Sequence, residues 1–304
     1  MSGTPTTAAT PSKALVLRGC GTALVTPFRG GQVDVPALQR LVQAQVEAGI
    51  TFLVPCGTTG ESPTLSDAER RTVIEATVEA ARGRVPVVAG TGTYDTHHSV
   101  HLTQEARKAG ADACLVVTPY YSKPTQEGIY RHVRAIVDRG GLPAVLYHIP
   151  GRSVVAIEVD TVRRCAEAGG ILAIKETGSV ARVTDLRLAA RVPVLSGDDG
   201  LTLPMIALGA VGAISVSSNV LPHPLASMVR LALEGRFPQA LALHERLAPL
   251  HHALFVEPNP IPCKAALLAL GLLEDGALRL PLTEATPATR ALLLRALEPF
   301  RTPD

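Results

Sequence analysis

Residues 168–178 read Ala-Gly-Gly-Ile-Leu-Ala-Ile-Lys-Glu-Thr-Gly, and this stretch decides the fold. A short apolar run between glycines is typical of a strand that is buried on both faces, as in a parallel sheet. The run ends at Lys175, although burying an ammonium group is costly. Burial lowers the pKa of a lysine and leaves a neutral amine that can form a Schiff base with a carbonyl compound. Taken alone, the stretch favours the simpler interpretation of a lysine that reaches solvent.

The same phrase, a small-residue helix end followed by an apolar run, recurs along the chain. It occupies residues 48–54, 109–117, 168–174 and 208–216, and three further runs that open with Val-Pro or Leu-Pro occupy 85–90, 142–147 and 192–197. Helices are predicted between the runs, over 35–48, 66–81, 125–138, 158–168, 180–190, 201–208 and 222–234. The helix at 66–81 opens with Ser66-Asp67-Ala68-Glu69, a capping box.

With residues 21–27 as the first strand, the chain predicts eight strands, each followed by a helix. This alternation predicts an α/β fold, a (β/α)8 TIM barrel with a parallel sheet. An open doubly wound sheet is the alternative, but its usual Gly-x-Gly-x-x-Gly signature is incomplete here. The chain has Leu24 where the third glycine would stand.

Three parts of the chain are predicted. Residues 1–18 are expected to form a disordered tail, residues 19–236 the catalytic barrel, and residues 237–304 a helical C-terminal extension. The extension follows from helical patterns at 238–256, 262–272 and 286–297, which exceed what eight units need. We expect it to pack on the barrel or on a neighbouring subunit.

Composition excludes several classes of function. A net charge of +2 does not indicate nucleic-acid or membrane partners, and no stretch is apolar enough to span a bilayer. The five cysteines are odd in number and contain no Cys-x-x-Cys pair, which favours reduced thiols in a cytoplasmic protein. His97 and His101 lie four residues apart, but no third ligand is evident, so no metal is expected.

In a β/α barrel the active site lies at the carboxyl ends of the strands, so the residues after each apolar run matter most. Of the five lysines, only Lys175 ends an apolar strand; Lys264 lies near a predicted helix start. The other predicted strands end in Gly57-Thr58-Thr59-Gly60-Glu61-Ser62, Thr118-Pro119-Tyr120-Tyr121, Tyr147-His148-Ile149-Pro150-Gly151-Arg152 and Ser196-Gly197-Asp198-Asp199.

These strand ends are chemically coherent with a Schiff base on Lys175. The reaction needs a proton donor and acceptor, and Tyr147 is one strand away. Thr58 and Thr59, in a glycine-flanked turn, can hold a carboxylate, and Arg152 can bind a second carboxylate through two hydrogen bonds. Simpler interpretations stay open for these motifs. Residues 57–60 could form only a turn, Tyr120-Tyr121 a structural aromatic pair and Arg152 a surface ion pair. Asp198-Asp199 could cap the helix that follows.

Together with Glu257-Pro258-Asn259-Pro260-Ile261-Pro262, these motifs resemble the 4-hydroxy-tetrahydrodipicolinate synthase (dihydrodipicolinate synthase) family. That family belongs to the pyruvate-dependent class I aldolases, with N-acetylneuraminate lyase, and the similarity runs from about residue 19 to about residue 297. The resemblance implies that Lys175 forms an imine with pyruvate, so no separate cofactor is expected. It implies that Tyr147 is the general acid and base, in a proton relay with Thr58 and Tyr121.

The resemblance also implies the substrate contacts. Thr59, Gly197 and the backbone around Ile214 would bind pyruvate, and Arg152 would bind the carboxylate of L-aspartate 4-semialdehyde. The product would be 4-hydroxy-tetrahydrodipicolinate, in the first committed step of lysine biosynthesis through diaminopimelate. In the family, the tyrosine equivalent to Tyr121 comes from an adjacent subunit, which implies a homo-oligomer, usually a tetramer built as a dimer of dimers.

Two alternatives are weighed against this lyase. One is an aldolase of the same superfamily that acts on a 2-keto-3-deoxy sugar acid or 4-hydroxy-2-oxoglutarate. The other is a non-catalytic ligand-binding barrel. Thr59 and Arg152 favour the synthase, because related aldolases typically carry Gly-Ser-Thr-Gly-Glu at the second strand and lack the arginine.

One predicted region departs from the family pattern. Lysine-inhibited members have an allosteric pocket at positions equivalent to Ser62, Pro63, Arg70, Tyr94, His98 and Tyr120. Tyr120 matches, but Arg70 replaces the usual histidine, and Tyr94 and His98 replace asparagine and glutamate. A cationic Arg70 would repel lysine, so we predict weak or absent lysine inhibition.

Overall fold

Strands and helices alternate along residues 15–300, the part of the chain that the computed structural model describes. The strands are β1 (Gly19–Ala23), β2 (Phe28–Arg29), β3 (Gln32–Val33), β4 (Phe52–Val54), β5 (Val88–Gly90), β6 (Ala113–Val117), β7 (Ala144–His148), β8 (Ile171–Glu176), β9 (Val194–Ser196) and β10 (Gly212–Ser215). The α-helices are α1 (Val35–Glu47), α2 (Asp67–Ala81), α3 (Thr96–Lys108), α4 (Gln126–Gly140), α5 (Pro150–Ser153), α6 (Val159–Glu167), α7 (Arg182–Asp185), α8 (Thr202–Ala207), α9 (Pro222–Leu233), α10 (Phe237–Ala253), α11 (Ile261–Ala269) and α12 (Pro287–Leu297).

Eight strands form one parallel sheet in the order β4-β1-β10-β9-β8-β7-β6-β5. A further parallel bridge joins Leu53 of β4 to Val87, next to β5, and the Leu53 amide donates to Pro86 O at 2.9 Å. This contact closes the sheet into a ring, so the predicted (β/α)8 TIM barrel is confirmed. The two remaining strands, β2 and β3, form a short antiparallel hairpin that was not predicted.

Most predicted helices begin and end within two residues of those observed, and the capping box of Ser66 and Glu69 is confirmed. The helix predicted over 180–190 differs, because α7 continues as a π-helix, Leu186–Ala190, in which Arg191 N–H donates to Leu186 O. The first strand ends earlier than predicted, at Ala23. The reason is that the Val25 amide donates to the side chain of Asn219 at 3.1 Å instead of to a neighbouring strand.

The core has two layers. Side chains that point into the barrel form one cluster, and a larger cluster lies between the strands and the surrounding helices. The inner cluster includes Phe52, Val54, Val88, Leu115, Val145, Tyr147, Ala173, Leu195 and Ile214. Because inward and outward side chains alternate along each strand, the inner set fixes which residues face the barrel axis.

The C-terminal helices pack on the barrel through an apolar cluster of their own. Leu254, Leu267 and Leu297 lie in this cluster with Val25 and Val216, which follow β1 and β10. The helices therefore cover the end of the barrel at which β10 finishes. None of the described helices is both long and apolar enough to cross a membrane.

The predicted disordered tail, residues 1–18, lies largely outside the described residues. Its last four residues are described, and Leu17 is only 4 % exposed. Leu17 belongs to the inner apolar cluster, so the prediction of a tail is wrong over residues 15–18. Burial of this leucine against the barrel interior favours an ordered segment.

Candidate active site

The strand pairing brings Lys175 and Tyr147 side by side. They are directly opposed in the register of β7 and β8, so both side chains point into the barrel. Lys175 is 4 % exposed, and its Nζ lies 4.2 Å from the centroid of the Tyr147 ring. Lys175 forms no ion pair with any residue between 15 and 300. The amine therefore faces a phenol rather than a carboxylate.

A cavity of about 610 Å³, the first cavity, opens above these two side chains. It brings together six of the predicted site residues: Thr58, Thr59, Tyr147, Arg152, Lys175 and Gly197. Ile214 does not line it, because this residue is 1 % exposed and lies deeper, in the inner cluster. Val216, two residues further along, lines the cavity instead.

Gly197 lies where β9 passes closest to Lys175. A Cβ at this position would lie 2.8 Å from Lys175 Cε and 2.5 Å from Thr177 Cγ2. Real Cβ atoms do not approach other carbons this closely. The absence of a side chain at Gly197 therefore gives the Lys175 side chain its path to the cavity.

The loop after β4 carries the two threonines. Thr59 is buried, and its Oγ1 accepts a hydrogen bond from Asn259 Nδ2 at 2.9 Å. Thr58 is partly buried and lines the cavity wall. Asn259 also lines the cavity, and its buried Oδ1 has no hydrogen-bond partner among residues 15–300. The C-terminal segment thus supplies a polar side chain to the site.

A buried hydrogen-bond network holds the end of β8. His148 Nδ1 lies 2.7 Å from Glu176 Oε1, and Arg182 Nε donates to Glu176 Oε2 at 2.9 Å. Burial alone raises the pKa of Glu176, but the hydrogen bonds from His148, Arg182 and the Gly178 amide outweigh it and leave that pKa below its ordinary value. Glu176 is fully buried and directly follows Lys175. The network therefore fixes the backbone from which Lys175 projects.

Asp198 is confirmed as the cap of a short 3-10 helix, Asp199–Leu201, whereas the Asp199 carboxylate has a different role. Asp198 Oδ1 accepts from Gly200 N–H at 3.0 Å, as a cap would. Asp199 Oδ2 accepts from the amides of Val216 and Ser217 at 3.0 and 2.8 Å. Burial and the neighbouring Asp199 raise the pKa of Asp198, which lines the cavity. The Asp199 carboxylate therefore positions the chain after β10.

Arg152 lies in α5 at the cavity mouth, and the backbone around it is strained. The helix ends at Ser153, and the cap residue Val154 that follows has φ of 65°, an uncommon value for a β-branched residue. The Arg152 side chain is exposed and forms no hydrogen bond or ion pair with the described part of the chain. Strained backbone of this kind often marks a functional site, and an unpaired arginine is available to a ligand.

Tyr121 does not reach the cavity of its own chain. It is 92 % exposed, with φ of 66°. Ser122 N–H donates to Tyr120 O at 2.8 Å, so Tyr121 occupies the centre of a γ-turn of the rare, positive-φ form. The tyrosine ring is held away from its own barrel.

A second cavity, of about 240 Å³, adjoins the first. Four of the residues predicted for a lysine pocket line it: Ser62, Pro63, Arg70 and Tyr120. Tyr94 packs edge-on against Tyr120, with ring centroids 5.4 Å apart, but does not line the cavity. His98 also lies outside it, and its Nε2 is 3.0 Å from Asp67 Oδ1.

Sequence reasoning missed several residues that hold the site together. Asn259, His148 and Glu176 fall in motifs that carried the resemblance, but no role was assigned to them. A second buried lysine was also missed: Lys264 is fully buried, with Nζ 2.5 Å from Glu61 Oε1. Nothing near Lys264 in sequence signals this ion pair, because its partner lies in the loop after β4. Among residues 15–300, no three metal-binding side chains are grouped to hold an ion.

Comparison with known proteins identifies the family. Residues 16–299 match the model of the dihydrodipicolinate synthetase family. The chain belongs to this family. A synthetase-family relative from Sorangium cellulosum, named 4-hydroxy-tetrahydrodipicolinate synthase, is 52 % identical over 289 residues, covering 93 % of this chain and 96 % of the relative.

Solved structures of the dihydrodipicolinate synthetase family agree. The crystal structure of dihydrodipicolinate synthase from Aquifex aeolicus superposes with a TM-score of 0.90 at 45 % identity, covering 93 % of this chain and 98 % of the other. A variant described as the first monomeric dihydrodipicolinate synthase gives a TM-score of 0.90 at 40 % identity, covering 92 % and 96 %.

Proposed function

We propose that this enzyme condenses pyruvate with L-aspartate 4-semialdehyde to give 4-hydroxy-tetrahydrodipicolinate. The observation that carries the proposal is Lys175, buried at 4 % exposure without an ion-pair partner between residues 15 and 300, and with Nζ 4.2 Å from the Tyr147 ring centroid. The cavity above it also contains the unpaired Arg152. The names of the relatives support the same reaction.

The first half of the reaction uses the amine of Lys175. Its nitrogen attacks C2 of pyruvate, the carbonyl oxygen leaves as water, and an imine forms. Tyr147 moves the protons that these steps require, together with Thr58 and a neighbouring subunit's copy of Tyr121. Thr59, which Asn259 orients, binds the pyruvate carboxylate together with backbone near Gly197 and near Val216, which lines the cavity in place of Ile214. The covalent imine supplies the electron sink, and the proposed chemistry uses no separate cofactor.

The second half joins the two substrates. Loss of a proton from C3 converts the imine to an enamine, and C3 attacks the aldehyde carbon of the semialdehyde. The amine of the same substrate then attacks C2, closes the ring and displaces the Lys175 amine. Arg152 binds the carboxylate of the incoming aldehyde at the cavity mouth, so it sets which aldehyde reacts.

The product belongs to lysine biosynthesis through diaminopimelate. The aldolase alternative and the non-catalytic alternative receive no support from the relatives cited above. One observation argues for the synthase over the aldolase: Arg152 lines the cavity that contains Lys175. A substrate that presents hydroxyl groups would leave Arg152 without a charged partner.

Trapping of the imine tests the reaction class. Borohydride reduction in the presence of pyruvate, followed by peptide mass spectrometry, should place the adduct on Lys175. Lys264, also buried but paired with Glu61, is the internal control and should stay unmodified. An adduct that is absent from Lys175 would contradict the proposal.

Replacement of Arg152 tests the second substrate. Arg152→Ala should raise the KM for L-aspartate 4-semialdehyde by about tenfold to a hundredfold, because a charge-assisted pair contributes roughly 1.5–3 kcal/mol. The rate of pyruvate adduct formation should stay unchanged. Unchanged kinetics with the semialdehyde would remove this role and favour the aldolase.

We also propose that the protein is cytoplasmic and forms a homo-oligomer, namely a tetramer built as a dimer of dimers. Its support is the exposed Tyr121, which the proposed proton relay needs from a second chain. All five cysteines are free and buried, which suits a reducing compartment.

Lysine is proposed to inhibit weakly or not at all. The cavity that would hold it contains cationic Arg70, and His98 is occupied by Asp67. A titration of the initial rate with lysine tests this, and strong inhibition at submillimolar concentration would overturn it.

A further inference from the structure

The second cavity has an unusual balance of charge. Two guanidinium side chains line it, Arg70 and Arg152, together with hydroxyl-bearing side chains at Thr58, Ser62, Tyr120 and Ser153. No carboxylate of the described chain lines it. A small cavity lined by two cations and several hydroxyl groups is complementary to an anion.

Of the two arginines, Arg70 gives the stronger evidence for an anion site. It is 8 % exposed, and its Nη2 donates to Ser62 O at 2.6 Å. Its Nη1 makes only a long contact, 3.4 Å, to Gly90 O, and its Nε has no partner. No carboxylate within residues 15–300 forms an ion pair with it. A buried cation without a counter-charge is costly, so an anion that reached Arg70 would be bound favourably.

Arg152 connects this cavity to the active site. The two cavities share three lining residues, Arg152, Thr58 and Ile149. The side chain is exposed and has no described partner that would fix it on one side. One guanidinium cannot fully pair with two anions at once, so occupation of the second cavity withdraws Arg152 from the first.

We propose that the second cavity binds a small doubly charged oxyanion, a dicarboxylate or a phosphate, between Arg70 and Arg152, and that this anion competes with the aldehyde substrate. An amino acid is a poor ligand, because its ammonium group would face two cations. The competition with the aldehyde rests on the proposed function of Arg152. Binding of the anion itself does not depend on that function.

Binding is tested by calorimetric titration of the assembled enzyme with inorganic phosphate and, separately, with malonate, at constant ionic strength. We expect one site per chain for at least one of the two anions. Arg70→Gln should weaken binding about tenfold or more, because it removes the buried charge. Lys175→Ala should bind as the wild type does, since Lys175 does not line the second cavity. No binding of either anion, or equal binding by Arg70→Gln, would overturn the proposal.

A second variant covers the case in which Arg70→Gln does not fold. Arg152→Gln changes an exposed side chain that has no described partner, so it should fold normally. It should also weaken anion binding about tenfold or more. Full binding by this variant would likewise overturn the proposal.

Kinetics test the competition. The bound anion should raise the KM for L-aspartate 4-semialdehyde several-fold and leave the yield of borohydride-trapped pyruvate adduct on Lys175 unchanged. A parallel fall in adduct yield would place the anion in the first cavity and overturn the proposal. If Lys175 gave no adduct even without the anion, the proposed function would fail, whereas the calorimetric result would still decide on the anion site.

Discussion

At the scale of single residues, Gly197 controls how β9 passes Lys175. The Lys175 side chain occupies the space that a Cβ at position 197 would need, and Lys175 Cγ would lie only 2.9 Å from that Cβ. This Cγ is near the backbone end of the side chain, so it cannot move aside without shifting the whole lysine. The position of the amine therefore depends on a residue that makes no polar contact with it.

We predict that Gly197→Ala lowers kcat about a hundredfold. A displacement of the reacting amine by about 1 Å has an effect of this size. Steady-state kinetics and the rate of pyruvate adduct formation measure it, with thermal unfolding as a check on folding. Gly128→Ala is the matched control, because a Cβ there meets only ordinary contacts of 3.4 Å. If the Gly197→Ala enzyme were as fast as the control, the prediction would be wrong, and Lys175 would be able to accommodate the added methyl group.

Lys175 could be predicted from the sequence, because an apolar run that ends in lysine is a local signal. Lys264 could not, because its burial depends on Glu61, far away in the chain. Both lysines are buried, so burial alone does not distinguish them. Burial lowers the pKa of Lys264, while the charge of Glu61 opposes that shift and keeps the lysine in an ion pair. Lys175 lacks such a partner among the described residues, which leaves its amine available for covalent chemistry.

At the scale of elements, a buried histidine joins two neighbouring helices. His132 of α4 is 4 % exposed, and its Nδ1 lies 2.9 Å from Thr96 Oγ1 at the start of α3. Its Nε2 has no hydrogen-bond partner within residues 15–300. Burial lowers the pKa of His132 to about 4, although Asp95 acts in the opposite direction. The contact between α3 and α4 thus requires a neutral imidazole.

We predict that the free energy of unfolding falls as the pH drops from about 6.5 to about 4. The unfolded chain binds a proton on this histidine near pH 6.5, whereas the folded chain resists protonation until about pH 4. The folded state is therefore fully stabilised above pH 6.5 and loses up to about 3 kcal/mol as the pH falls to 4. Denaturant unfolding at several pH values measures this loss.

His132→Asn should flatten the pH dependence in that range. His97→Asn, a change to an exposed histidine of α3, is the control and should leave it unchanged. Equal pH dependence in His132→Asn and the wild type would contradict the assignment to this helix contact.

Most elements could be predicted, because buried parallel strands and amphipathic helices have local patterns. The exceptions have non-local causes. The hairpin of β2 and β3 consists of two-residue strands, which are too short for a periodic signal. The first strand ends at Ala23 because the Val25 amide donates to Asn219, nearly two hundred residues later, instead of to a neighbouring strand. The candidate site shows the same division, since strand ends were predictable and the Asn259 contact was not.

At the scale of the whole molecule, one chain leaves the proposed proton relay incomplete. Tyr121 is exposed and held outward by its γ-turn, a conformation that is rare and strained. Strain of about 1–3 kcal/mol persists only where other contacts maintain it. Insertion of Tyr121 into a neighbouring barrel would supply such contacts.

We predict that two inactive variants restore activity when they are mixed. Tyr121→Ala keeps Lys175 but lacks the tyrosine that a neighbour needs, and Lys175→Ala has the reverse defect. A mixed dimer has one complete site, so mixing after dissociation and reassembly should restore about a quarter of the wild-type rate. A steady-state assay of the mixture measures this. No recovery, with mixed oligomers verified by mass spectrometry, would place Tyr121 in its own chain's site.

The contact between Thr59 and Asn259 has a consequence for the synthesis of the protein. The hydroxyl that binds pyruvate in the proposed site is oriented by a residue 200 positions later. A ribosome therefore has to translate the chain as far as Asn259 before the loop after β4 can take its final form. Until then, a growing chain can fold β-strands and helices locally but cannot assemble a competent pocket. The proposed pocket can therefore become competent only after the segment that contains Asn259 has been translated.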